Sequence, residues 1–272
     1  MKRNWGIHMS KLYIQNLGLI ITEKCNLKCM HCMRGDATQK NMKDEVIEQL
    51  NQIDTIGNLT VCGGEPTLAL PTLEKILTFI VDNHIGLDTL TMTINGTNYS
   101  KELLRLLDYI DEYIPKRKYG VNALFGISKD PFHLKEVKEK KKLDEYLENL
   151  EKYIESPHFL NYREIDKKIF REGRAETLPS EITIPIRPWP IIYTHLQDQD
   201  VIEAGPLVSI NVDGIVTECD ASHEHQRTLY NYGNILDESL ESIITRVGEE
   251  VSPRSWYRKT GKIIKKQTTY NR

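Results

Sequence analysis

Residues 12–32 read LYIQNLGLIITEKCNLKCMHC, and residues 61–66 read VCGGEP. The first stretch opens with an apolar, β-branched run, Leu12 to Ile21, of strand length. Cys25, Cys29 and Cys32 follow it as C-x3-C-x2-C. A second short apolar run, Leu59 to Cys62, ends in Gly63-Gly64-Glu65-Pro66. Between them, Val46, Ile47, Leu50 and Ile53 recur at helical spacing from Lys43 to Ile56, with Asp44 as the expected cap. Strand, helix, strand with unusual residues just past each strand is the pattern of a parallel sheet covered by helices. In such sheets the chemistry collects at the carboxyl ends of the strands.

Further along, Pro71 opens an expected helix through Leu73, Ile76, Leu77 and Ile80, a first-turn position where proline costs no hydrogen bond. Leu87 to Ile94 reads as a third strand, stopped by Asn95-Gly96. Ser100 caps a helix bearing Leu103, Leu104, Leu107 and Ile110. Val121 to Ile127 is a fourth strand, Leu134 to Ile154 one long charged helix, and Phe159 to Ile165 and Glu181 to Ile186 two more strands. Past Pro185, Pro188 and Pro190 the texture changes. Leu207 to Val212, the Asp213-Gly214 turn and Ile215 to Thr217 predict a β-hairpin, and Leu240 to Val247 a short helix. The final stretch, residues 253–272, holds seven lysines or arginines and no acid.

Composition sets the limits. The chain has 272 residues, 39% hydrophobic and 28% charged, so it can bury a core and is not a disordered polymer. No apolar run approaches membrane-spanning length, and the start has no signal-peptide pattern. A net charge of −3 argues against a globally basic nucleic-acid binder. Five cysteines, an odd number in a large chain, argue against a disulfide framework and for a reducing, cytoplasmic location.

Three thiolates within eight residues can converge on one soft metal centre. A thiolate cage one ligand short suits a [4Fe–4S] cluster with an open iron. Structural zinc wants four ligands, and the nearest fourth, His31, adjoins Cys32 too closely to share the ion easily. The glycines let backbone approach a ligand, and Glu65 offers an acceptor to an ammonium. By itself Gly-Gly-Glu-Pro is also a plain turn.

The triad followed by Gly-Gly-Glu-Pro resembles the signature pair of the radical S-adenosylmethionine superfamily. That resemblance implies a partial (β/α)6 barrel, one [4Fe–4S] cluster on Cys25, Cys29 and Cys32, and S-adenosylmethionine on its open iron. It implies cofactor contacts from Gly63, Gly64 and Glu65, from Asn95 in Asn-Gly-Thr, and from Ser128 and Asp130 after the fourth strand. Capping is an equal reading for the last two. His31 stands where the family has an aromatic residue near the adenine. Gly173 and Arg174, in Arg-Glu-Gly-Arg, resemble a segment that some members place there too. His133 reads as a packing or surface histidine, with substrate contact as the alternative.

The resemblance divides the chain into a core over residues 1–190, a C-terminal β-hairpin and helix over 191–252 similar to a truncated SPASM extension, and a basic tail over 253–272. Cys62 reads as a small buried hydrophobe. Cys219 is the candidate catalytic residue outside the triad, a hydrogen-atom donor to a substrate radical. A relic of a lost cluster, or a metal site with His223 and His225, are the competing readings. The implied partners are a peptide or protein substrate and a reductant of the flavodoxin or ferredoxin type. A nucleotide or other small-molecule substrate, and a non-enzymatic zinc module, are the alternatives.

Overall fold

The computed structural model describes residues 11–115, 121–164, 169–196 and 200–256. It opens with strand β1 (Lys11–Thr22), helix α1 (Asp44–Glu48), β2 (Thr55–Gly63), α2 (Leu70–Asp82), β3 (Gly86–Leu87) and β4 (Leu90–Ile94). Helix α3 (Lys101–Tyr113), β5 (Ala123–Ser128), α4 (Pro131–Glu139), α5 (Leu143–Ile154) and β6 (Phe159–Arg163) follow. Strands β1, β2, β4, β5 and β6 lie side by side in that order, all parallel. Along β2 and β4 buried apolar residues alternate with polar, less buried ones, so one face of the sheet carries the core. Ile14, Leu17, Leu19, Ile56, Leu59, Val61, Leu90, Phe125 and Ile127 are fully buried against Leu73, Ile76, Leu77, Leu103, Leu107 and Ile110 of α2 and α3.

The second part of the chain returns to β1. After a separate two-stranded sheet of β7 (Ile169–Phe170) and β8 (Thr183–Ile184) come β9 (Ile192–Leu196), β10 (Val201–Gly205), β11 (Val208–Ile210) and β12 (Ile215–Thr217). Helix α6 (His223–Arg227), β13 (Gly233–Asn234), α7 (Leu240–Val247) and β14 (Glu249–Glu250) complete the described chain. β10 pairs with the first half of β1 and β11 with the second, both parallel. The sheet therefore runs without a break from residues 11–163 into residues 192–234. The β11–β12 hairpin turns at Asp213-Gly214 as expected, with Gly214 at a φ of +88°.

Several expectations are corrected. The charged stretch from Leu134 to Ile154 is two helices, broken at Lys140–Lys142, where Lys141 has a φ of +56°. Five lysines lie within Lys138–Lys142 and Lys135, and like charges three or four apart oppose a continuous helix. The expected strand Glu181 to Ile186 shrinks to Thr183–Ile184 and pairs with β7, outside the main sheet. Leu87 to Ile94 is split into β3 and β4. The helix after Lys43 ends at Glu48, continues as a 3-10 turn through Gln52, and leaves Thr55 and Ile56 to β2. Asp44 is not its cap: it sits in the first turn and bonds Lys75. Ser100 does cap α3, its hydroxyl accepting from the Leu103 amide at 3.0 Å. No helix among the described residues is long and apolar enough to cross a membrane. Of the basic tail, residues 257–272 lie outside the described residues.

Candidate active site

Cys25, Cys29 and Cys32 lie on the loop that leaves the carboxyl end of β1, where parallel-sheet geometry puts chemistry. The loop is held from several sides. From β2, the Gly64 amide donates to the Thr22 carbonyl at 2.8 Å and the Glu65 amide to the Lys24 carbonyl at 2.6 Å. A Cβ on Gly64 would overlap the Lys24 carbonyl, so only glycine admits this approach. From β4, the Asn95 side-chain amide donates to Asn26 Oδ1 at 2.7 Å, and Asn26 donates to Thr97 Oγ1 at 2.8 Å.

Helix α4 grips the same loop. The Lys28 amide donates to Glu136 at 2.9 Å, and Lys140 reaches the Asn26 carbonyl at 2.9 Å. From the far side, the Arg174 amide donates to the Cys32 carbonyl at 3.1 Å and its Nε to the Cys29 carbonyl at 3.0 Å. Gly173, at a φ of +56°, packs so tightly on Gly35 and Met33 that a Cβ would strike their backbone.

The three thiols feel one another electrostatically. Burial, then the neighbouring thiols, push Cys29 up to about 12. Burial chiefly pushes Cys25 up to about 11, with Glu65 and Cys32 adding to it. Such thiols stay protonated until a metal takes the proton's place. Two buried ring nitrogens beside them, His31 Nδ1 and His133 Nε2, have no partner. Ligand atoms within 4.8 Å of one another, as a single ion requires, occur among the described residues at Glu172, Glu176 and His225. Three thiol donors on one loop fit an iron–sulfur cluster, which Cys25, Cys29 and Cys32 would hold.

Glu65 is 1% exposed, and burial pushes its carboxyl up to about 7. One oxygen accepts from the Thr67 amide and hydroxyl at 3.0 and 2.6 Å, the other from the Asn95 amide at 2.6 Å. It therefore ties the ends of β2 and β4 together. Asn95 is fully engaged, its Oδ1 accepting from Thr97. Asp130 caps α4, one oxygen accepting from the Phe132 and His133 amides at 2.9 Å, while the other lies 3.5 Å from His31 Nε2. The Ser128 carbonyl accepts from the Tyr146 hydroxyl at 2.7 Å. His31 faces Phe132, ring centroids 5.2 Å apart.

His133 takes the packing place that was one of its two readings from sequence, and Arg34 was not expected at all. His133 is buried, with Nδ1 3.9 Å from Cys29 Sγ, and burial lowers its pKa so that the ring stays neutral. Arg34, two residues past Cys32, is buried and reaches across to residues 219–221. Its Nη1 donates to the Cys219 carbonyl and, at 3.1 Å, to that of Ala221. Cys219 meets Arg34 and Cys62, not His223 or His225. His225 pairs with Glu172 at 2.9 Å, and His223 Nδ1 lies 3.6 Å from Glu23.

A largely parallel sheet with a three-thiol loop at its carboxyl edge, buttressed by a glycine turn, is the arrangement of an enzyme fold whose thiols could hold an iron–sulfur cluster. The family model of the Radical SAM superfamily matches residues 19–162, just over half the chain, and the chain belongs to that superfamily. Its members are enzymes that use an iron–sulfur cluster and S-adenosylmethionine.

Relatives match over the motif-bearing part. A mitochondrial GTP 3′,8-cyclase of Arabidopsis thaliana is 30% identical over 98 residues, 33% of this chain and 25% of that protein. The pyruvate formate-lyase-activating enzyme of Staphylococcus aureus is 32% identical over 92 residues, 29% of this chain and 37% of that one. The chain thus spans well under half the length of these relatives. Among solved structures, native anSMEcpe with bound AdoMet has a TM-score of 0.49 at 16% identity, covering 85% of this chain and 80% of that one. SuiB of Streptococcus suis bound to S-adenosylmethionine has a TM-score of 0.45 at 12% identity, covering 85% and 65%.

Proposed function

We propose that this enzyme modifies a peptide or protein by abstracting hydrogen from one of its carbons, that Cys219 returns a hydrogen atom to the carbon radical, and that one electron from an external reductant with a solvent proton restores the Cys219 thiol. A cluster held by Cys25, Cys29 and Cys32 would supply the electron for reductive cleavage of S-adenosylmethionine, whose adenosyl group would abstract the hydrogen. The protein's part is to position and to exclude water. Gly63, Gly64 and Glu65 border the methionyl end, Asn95 fixes the loop beside Cys25, and Asp130 with Ser128 sets the start of α4 against His31.

The carrying observation is Arg34. It joins the cysteine loop to the backbone at Cys219, bringing that thiol to the cluster side of the sheet. The Cys219 thiol also keeps its proton. Its hydrogen bond with Cys62, together with burial, pushes it well above an ordinary thiol. A donor must hold an S–H, and this one does. One relative is by name an activating enzyme of pyruvate formate-lyase, a protein. A second reading, a nucleotide substrate, is favoured by the relatives named GTP 3′,8-cyclase.

The test is anaerobic reconstitution with iron and sulfide in deuterated water, adding S-adenosylmethionine, dithionite and the peptide encoded beside the gene. Wild type is expected to make 5′-deoxyadenosine and a product with one added deuterium, because thiol protons exchange with solvent. Cys219→Ala is expected to keep the cluster and 5′-deoxyadenosine formation but to give trapped or altered product. Unlabelled product, or normal product from Cys219→Ala, removes the donor role. Turnover driven by GTP and not by peptide selects the second reading.

A further inference from the structure

Cys62 closes β2, and Cys219 follows β12, which lies three strands away across the sheet. Their side chains nevertheless meet. The loop after β12 folds back, and the two thiols share one guanidinium. One guanidinium nitrogen, Arg34 Nη2, lies 3.7 Å from Cys62 Sγ and 3.8 Å from Cys219 Sγ. The other nitrogen fixes the backbone at Cys219 and Ala221. Both cysteines are half-buried, and both are free thiols. This is not the surrounding of two inert core cysteines. A cation centred on two sulfurs has to be explained, and a thiolate is what it fits.

The two sulfurs are also unequal. The Cys219 hydrogen bond and the Arg34 charge hold Cys62 below an ordinary thiol, against its burial, whereas Cys219 is held above. Asp220 is the nearby acid and opposes ionisation of both. One thiolate beside one thiol is the arrangement that thiol–disulfide exchange needs: an attacking sulfur and a resolving one. There is a way in, too. Cys219 lines a small open-sided cleft together with Trp189, Glu218 and Tyr232.

We propose that Cys62 and Cys219 are a redox-active pair that closes to an intramolecular disulfide in exchange with a low-molecular-weight disulfide of the glutathione type. The Cys62 thiolate attacks one sulfur of that disulfide, forming a mixed disulfide and releasing one small thiolate. Cys219 then loses its proton to solvent and attacks Cys62 Sγ, expelling the second small thiolate. The pair is oxidised by two electrons, and the small disulfide is reduced to two thiols. A dithiol reductant runs the exchange backwards. The closed form has no S–H at Cys219, which ties oxidation to the hydrogen donation proposed above. That tie rests on the donor reading; the disulfide itself does not.

The reconstituted full-length holoenzyme is equilibrated anaerobically with mixtures of oxidised and reduced glutathione, without substrate or S-adenosylmethionine. After acid quench, alkylation and proteolysis, the peptides are weighed. A Cys62–Cys219 linked peptide is expected to grow with the oxidised fraction, reach half-conversion at a defined ratio and vanish with dithiothreitol. Cys219→Ser is expected to trap the mixed disulfide of glutathione on Cys62, and Cys62→Ser to leave Cys219 open to alkylation. Both thiols remaining alkylatable at every ratio, or each carrying its own glutathione, overturns the pair. Because no turnover is involved, a failure here leaves the deuterium experiment as the judge of the donor role. Unlabelled product there leaves this result standing.

Discussion

At the scale of single residues, the thiols of the triad and the carboxyl of Glu65 decide most. Three thiolates are the least that anchors a site-differentiated cluster. Replacing Cys25, Cys29 or Cys32 by alanine is expected to abolish the iron-dependent absorbance and the cleavage of S-adenosylmethionine. Cys62→Ala and Cys219→Ala are expected to keep about four irons per chain, as one [4Fe–4S] centre requires; a stoichiometry of about eight would speak for two. Glu65 gives a pH signature. Its folded value of about 7 lies above the roughly 4.3 of an unfolded glutamate. The fold therefore favours the protonated form. The stability this group contributes is full below the unfolded value and is lost as pH rises through the folded one. Urea midpoints of the wild type are expected to fall between pH 4 and pH 7 relative to those of Glu65→Gln, which cannot ionise there; parallel profiles would refute the shift. Where the carboxylate meets the methionyl ammonium, the anion is the binding form. Binding of S-adenosylmethionine is then expected to tighten over the same window, and Glu65→Gln to remove that dependence.

At the scale of elements, the cysteine loop depends on what packs against it. Asp130 caps α4 and so sets His133 beside Cys29. Asp130→Ala should cost about 1 kcal/mol of stability and lower cluster occupancy more than Ser100→Ala, which uncaps α3. Equal occupancy in the two variants, measured as iron per chain, would separate α4 from the cluster. Gly173→Ala places a methyl against Gly35 and Met33 in a left-handed conformation, so it is expected to cost about 1–2 kcal/mol and to disturb the loop.

Much of this was legible in the sequence. The triad, the glycine turn and their places after β1 and β2 follow from local spacing, and the alternation of strand and helical periods gives the parallel sheet. What was hidden is long-range. Arg34 meets Cys62 and Cys219 across 28 and 185 residues of chain, and neither periodicity nor spacing marks such a meeting. Cys62 looked like a small hydrophobe because a thiol's partner is set by tertiary packing. The break at Lys141 was masked by apolar positions on either side that kept helical phase. Arg-Glu-Gly-Arg marked Gly173 and Arg174 by resemblance, but their clamp on the backbone of the cysteine loop is a tertiary contact that local spacing does not carry.

For the whole molecule, residues 200–256 complete the sheet that holds the site. β10 and β11 cover the edge of β1, and Arg227, bonded to Glu23 and Asp213, straps α6 onto the start of the cysteine loop. Where the chain can be shortened follows from burial. Trp256 is 3% exposed and packs with Ile192 and Val251 in a small cluster of its own. Removing residues 253–272 therefore deletes a core side chain along with the charges. Loss of a buried tryptophan costs about 3–5 kcal/mol, so that truncation is expected to lower Tm sharply. Removing only residues 257–272 takes six lysines or arginines, among them Lys259, Lys262, Lys265, Lys266 and Arg272, and leaves Trp256 in place. If these charges dock an acidic substrate, the shorter truncation raises KM for the peptide, more at low salt than at high, since screening already weakens the contact at high salt. Uncoupled cleavage of S-adenosylmethionine should be unaffected, because it needs only the triad and its surroundings. A KM that ignores both the truncation and the salt would leave the basic tail without a part in substrate docking.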